Sequence, residues 1–185
     1  SSGVPLAAYI STQGTSSEDL GRTGDSAGIN YDYNVIEKNG VKMAVPQCLN
    51  CHAQKLFGQL VLGLGDATLD FVGSRRTTVL AADGYIKQKY GEASPTYQAF
   101  LPFMQGSLAI ADEIVTDVRG VNSANKLFAV LAAHRDPVTL AWSDTPSKEI
   151  PPGSFAADVP PWWHLQKKHA LYVAGIGQGD FGRLS

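Results

Sequence analysis

Cysteine is nearly absent from this chain, with two among 185 residues. A disulfide framework is therefore excluded, and a chain of this length buries enough apolar surface to fold without one. Charge is sparse as well. Charged residues make up 17% of the total, and 15 basic against 17 acidic side chains leave a formal net charge of −2. That balance argues against a nucleic-acid surface or a polybasic membrane anchor. Long apolar runs are missing, and none approaches the about 20 residues of a membrane helix. There is no internal repeat and no low-complexity tract. The plentiful residues are 19 glycines and 10 prolines, beside a hydrophobic content of 44%. These numbers describe one globular domain with long polar connections between short elements.

The two cysteines sit together as Cys48-Leu49-Asn50-Cys51-His52, the C-x-x-C-H pattern of c-type haem attachment. The spacing has a chemical reason. Thiols one helical turn apart each add to one haem vinyl group, and the histidine beside the second thiol turns its imidazole toward the iron. With two cysteines and four histidines placed at random the full pattern arises roughly 2 times in 10,000. Three other readings compete. A thioredoxin-type C-x-x-C follows a strand and opens a helix in a βαβ unit, whereas Pro46 and Gln47 precede this one and no βαβ alternation is visible. A zinc site needs two further ligands, and His164 and His169 lie far beyond finger spacing. A disulfide across C-x-x-C closes a short, strained loop. Covalent haem c, one per chain, is the expectation. Because such attachment normally occurs outside the bacterial cytoplasm, a periplasmic or extracellular protein is expected. Ser1, Ser2, Gly3, Val4 and Pro5 carry no leader features, which reads as a mature chain whose signal is gone.

Residues 1–30, rich in Ser, Gly, Thr and Asp, read as a flexible N-terminal arm, and residues 31–185 as a single haem domain. Asn39-Gly40 between residues 33–37 and 41–45 is a hairpin signal. A haem helix begins near Gln47, and the glycine-flanked run 57–64 reads as a short strand or close-packed loop. Ser74 and Gly91 bracket a helix over Arg75 to Tyr90. Ser94-Pro95 opens another, interrupted at Pro102 and resumed to Gly120. Ser123 precedes a helix from Ala124 to His134. Residues 143–161 form a long loop, and Pro161 starts a helix over Trp162 to Val173. The expected class is mainly α, a cytochrome c-like helical haem domain with long loops and a small β-hairpin.

With His52 as one axial ligand, the other decides the chemistry. Methionine raises the potential, a second histidine lowers it, and an open site permits chemistry on peroxide or oxygen. The candidates are Met43, Met104, His134, His164 and His169. Met104 lies about 50 residues after the motif beside a proline, where small cytochromes c place theirs, although a core methionine explains it equally. His134 meets the negative end of a helix dipole. On a helix over 162–173, periodicity turns His169 inward with Trp162 and Leu165 and leaves His164 at the margin.

The runs from Asn50 to Phe71 and from Val159 to Asp180, the latter with Pro160-Pro161-Trp162-Trp163-His164 and Lys167-Lys168, resemble the N-terminal half of bacterial di-haem proteins related to di-haem cytochrome c peroxidases and haem-containing rubber oxygenases. The matching segments cover about a third of the chain. The resemblance implies that Trp162, Trp163 and His164 lie close to haem, with tryptophan suited to relaying electrons, and it favours His164 as the second axial ligand. Those proteins continue to a second C-x-x-C-H, which is absent between Ser1 and Ser185.

The leading expectation is an exported mono-haem cytochrome domain that carries electrons to a redox partner protein or a second haem subunit, with homo- or hetero-oligomers open. Alternatives are the N-terminal haem half of a peroxidase- or oxygenase-like enzyme, and one subunit of an electron-conducting multi-haem assembly. The G-x-G fragments at 63–65 and 175–179 lack a dinucleotide-site context. Asp112-Glu113 reads as a solvated face. Arg75-Arg76 and Lys167-Lys168 are available to haem propionates or a partner.

Overall fold

The computed structural model describes residues 2–16, 18, 20–153, 156–171 and 177–178, with the side chains of 164, 166, 171, 177 and 178 outside the description. Its centre is the Asn39-Gly40 hairpin. Strands β2 (Tyr33–Lys38) and β3 (Val41–Pro46) pair antiparallel in unbroken register from Tyr33↔Pro46 to Lys38↔Val41. Both turn residues have positive φ, 52° at Asn39 and 76° at Gly40, which matches the right-handed twist of the strands. A short strand β1 (Val4–Pro5) adds to the other edge of β3, so β3 is the middle strand of three.

Because successive strand residues face opposite ways, Met43 and Ala44, both fully buried, serve two cores. Met43 packs with Ala8, Ile86, Tyr97, Ala99 and Phe100 under helices α3 (Arg76–Tyr90) and α4 (Pro95–Ile110). Ala44 packs with Tyr9 and Ile29 on the opposite face. The first 30 residues are thus more than an arm. They supply β1 and helix α1 (Leu6–Gln13), which carries buried Ala8 and Tyr9. Polar composition hid the apolar run from Val4 to Ile10.

Helix ends follow local chemistry. Ser94 Oγ accepts a hydrogen bond from the Tyr97 amide at 3.1 Å, and Gly91 closes α3 with φ 82°. Helix α5 spans Ala124–Ala133 with His134 as its C-cap. Its first amide is capped by Asn122, whose Oδ1 accepts from the Ala124 N–H at 2.9 Å.

Several expectations are corrected. The protein is mixed α/β, with 38% helix and 17% strand, and not mainly α. The excess strand comes from β1 and from a second hairpin, β4 (Ala53–Leu56) with β5 (Gln59–Leu62). That hairpin grows directly out of the C-x-x-C-H turn. Helix α4 is not interrupted at Pro102. Losing one amide donor there is offset by packing of Leu101, Phe103 and Met104 against the core. It ends at Ile110 and does not resume to Gly120. The helix expected over Trp162 to Val173 is a 3-10 turn over Trp162–Lys167. Beyond it, β6 (Ala170–Leu171) pairs with β7 (Gly177–Gln178). Helical periodicity reports amphipathicity, and it is blind to the strand partner that won this segment. Among the described residues no helix is long and apolar enough to cross a membrane.

Candidate functional site

Pro46 ends β3, and the Gln47 amide donates to the Asp32 carbonyl at 3.0 Å, which fixes where the next turn starts. The Asn50 amide then bonds the Gln47 carbonyl at 3.0 Å, and the Cys51 and His52 amides bond the Cys48 carbonyl at 3.2 and 3.0 Å. The result is one helical turn, α2 (Leu49–His52). Residues three and four apart share a helix face, so Cys48, Cys51 and His52 are presented together. Both thiols are free, Cys48 exposed and Cys51 half-buried. Burial, followed by the Asp66 and Cys48 charges, pushes the Cys51 thiol up. A thiol-exchange cysteine needs the opposite shift.

His52 is half-buried and ends the turn, since Ala53 is already extended. Residues 63–66 fold back over it. The Gly63 amide bonds the His52 carbonyl at 2.7 Å, and the Asp66 amide bonds the Cys51 carbonyl at 2.9 Å. A third segment, residues 157–162, closes on top. The Trp162 amide donates to the Gly63 carbonyl at 2.8 Å. Ala157 and Asn122 exchange backbone bonds at 2.9 and 3.0 Å. Gly65 sits where any Cβ would run into the Val159 carbonyl, so the close approach of these segments requires glycine there.

This closure brings the Trp162 indole to 5.4 Å from the His52 imidazole, at 35° between ring planes. Burial lowers the His52 pKa, and the Pro160 carbonyl against the ring partly offsets it. Burial thereby favours the neutral imidazole, the form that binds a metal. Its Nδ1 is buried and has no hydrogen-bond partner. Two unbridged thiols and a neutral histidine with an orphaned ring nitrogen on one turn fit covalent haem. Among the described residues no three His, Cys, Asp or Glu side chains gather as a metal-ion site.

The remaining candidates are dispersed. Met43 is fully buried in the helix-facing core, and Met104 packs against that core. His134 is buried, stacks on Trp142 at 5.0 Å and 11°, and has Nδ1 2.7 Å from the Ser143 carbonyl. Trp163 is 52% exposed on the turn that carries Trp162. His169 is exposed just beyond that turn. His164 belongs to the turn, but its side chain lies outside the described residues. The basic pair at 75–76 is engaged internally. Arg75 donates to the Asp70 carbonyl at 2.7 Å and lies over Phe71, and Arg76 pairs with Asp112 at 2.6 Å. Glu113 is not merely solvated, since it pairs at 3.2 Å with the buried Lys126.

Three contributors escaped the sequence reading: Pro160, Gly65 and Asp32. Asp32 Oδ2 accepts from Asn50 Nδ2 at 3.5 Å, while Oδ1 is buried and unpartnered. Its signal was the carboxylate set between two tyrosines in Tyr31-Asp32-Tyr33. Comparison with protein-family models, with curated proteins and with solved structures finds no match to this chain.

Proposed function

We propose that this chain is an exported mono-haem c-type cytochrome domain acting in electron transfer. One observation carries the reading. The C-x-x-C-H turn presents two unbridged thiols beside a neutral, half-buried imidazole whose Nδ1 lacks a partner. Cys48 and Cys51 would hold the group through thioethers, each S–H adding across a vinyl C=C with nothing released. When bound, haem supplies a one-electron Fe(III)/Fe(II) couple. His52 would hold the iron through a ring nitrogen, and the Pro160 carbonyl would orient the imidazole and raise its basicity. Trp162 shields that ring from solvent. His164 is proposed as the second residue that would hold the iron, and Trp162 and Trp163 are proposed to lie near the haem. The partner is a redox protein or a second haem-bearing subunit.

A second reading has one observation in its favour. Trp162 lies against His52 and is itself 37% exposed, which gives a path from that imidazole to the surface. That path suits the electron-feeding haem half of a peroxidase- or oxygenase-like enzyme.

The test is the intact mass and visible spectrum of the protein produced with haem-attachment machinery. One haem added to the chain and a low-spin, six-coordinate iron are expected. A chain mass without haem overturns the proposal, and a high-spin iron that reacts with peroxide moves it to the enzymatic reading. A methionine-to-iron charge-transfer band would replace His164 with Met104.

A further inference from the structure

Beside the motif lies a carboxylate that haem attachment and iron ligation leave unused. Asp32 precedes β2 and reaches the middle of the C-x-x-C-H turn through Asn50, which stands between the two attachment cysteines. Its Oδ1 is enclosed without any hydrogen-bond partner. Buried oxygens are nearly always paired, and an ionised carboxylate left half-satisfied is costly. Arg22 is the nearby cation, yet its guanidinium is spent on backbone. It donates to the Tyr33 carbonyl at 2.7 Å and to the Ile29 carbonyl. The charge of Asp32 acts on Tyr9 of α1, on Tyr31, and on Tyr33 of β2, and adds to burial in raising all three phenols. Lys55, paired with Glu18, and Asp66 act on Tyr31 at the edge of this cluster. Burial raises Asp32 itself above the usual carboxylate range, with its own amide and Arg22 opposing.

We propose that Asp32 takes up a proton when this domain is reduced and releases it on oxidation, so that electron transfer is proton-coupled. The inference rests on the haem reading above. The step balances: one electron arrives from a one-electron donor protein, one proton arrives from solvent at the empty Oδ1, and no other bond changes. The physical cause is charge. A ferric haem attached through Cys48 and Cys51 would favour the carboxylate, and the ferrous haem, one positive charge fewer, would favour the neutral acid. Protonation also removes the charge from a carboxylate whose Oδ1 is buried without a partner.

The experiment is a redox titration of the haem-loaded protein from pH 4 to pH 9. The expected midpoint is flat at both ends and falls between them. Its slope approaches 59 mV per pH unit, a tenfold change in equilibrium constant per unit for one electron. Asp32→Asn is expected to abolish the slope. Should Asp32→Asn fail to fold or load haem, the wild-type reduced-minus-oxidised infrared difference decides, because reduction must create a protonated-carboxyl C=O band. Haem-loaded protein whose potential is pH-independent, or a slope that survives Asp32→Asn, overturns the Asp32 proposal and leaves the haem reading standing. A chain mass without haem overturns both.

Discussion

The two halves of this molecule hold together by different means. Around β3 the cohesion is apolar: Met43, Ile86, Tyr97 and Phe100 are all at or below 2% exposure and in mutual contact. Around the C-x-x-C-H turn it is backbone hydrogen bonding between irregular segments. His52 to Gly63, Cys51 to Asp66, Gly63 to Trp162, Leu69 to Gly120 and Asn122 to Ala157 are the links. The turn itself has no fully buried residue, with Cys48 exposed and Cys51 and His52 half-buried. Large apolar groups stay at the surface nearby: Leu56 at 48%, Phe57 at 97% and Leu62 at 57%. The first region needs nothing but its own side chains. The second lacks an apolar filling, and under the proposed haem reading it would acquire one from the attached group, on which its stability would then depend as metal-site folding depends on the metal.

The largest break in this contrast is removal of both attachment thiols. Cys48→Ser with Cys51→Ser is expected to leave the chain without haem by mass. Amide hydrogens in residues 48–71 and 157–162 then exchange rapidly, while those of β2 and β3 stay protected. Equal protection in both regions would end the distinction. Phe100→Ala attacks the other half. A cavity under α4 is expected to cost about 3–5 kcal/mol in denaturant unfolding, with both regions melting together because the β3 core supports the rest.

Smaller effects separate the regions more finely. Gly65→Ala pushes the Val159 carbonyl off the motif and should lift Pro160 and Trp162 from His52. The readout is the haem potential and spectrum of the loaded protein, altered with little change in the melting of the core. An unchanged potential would show that Pro160 does not act on His52. Ser94→Ala removes the α4 cap and should cost about 1 kcal/mol of global stability, leaving the haem spectrum untouched. Asp32→Asn has the smallest expected effect, and its sign is set by linkage. The folded carboxyl is raised above its ordinary value of 3.8. Its contribution to stability is therefore fully present below 3.8 and lost as pH rises through the folded value. Replacing it should stabilise the protein modestly at neutral pH and not at pH 3, measured as a shift in thermal midpoint.

The parts legible in the sequence are those governed by near neighbours. Asn39-Gly40 specified the β2–β3 hairpin, Ser94 and Gly91 marked helix ends, and C-x-x-C-H announced its turn. The failures share a cause. The Val4–Ile10 run is too short to read as an element until β3 offers it an edge and a face. The segment after Pro161 carries helical periodicity, yet the Trp162 amide goes to Gly63 and the chain beyond Lys168 finds a strand. Pro102 looked like a break because proline removes a donor, and the packing on both sides of it is a tertiary matter. The class shifted from mainly α to mixed for the same reason: short strands exist only with their partners.

By itself, the sequence determined that two thiols and an imidazole would stand on one turn, because i, i+3 and i, i+4 spacing is a local property of the helix. Tertiary structure decided what surrounds that imidazole. Pro160 and Trp162 come from more than a hundred residues away. Asp32 comes from the turn that precedes β2. No periodicity encodes these neighbours, since they depend on how closely backbones approach at Gly63 and Gly65 once the chain has closed. The chemistry proposed for the motif is thus written in five consecutive residues, and the burial and polarity around it belong to the fold.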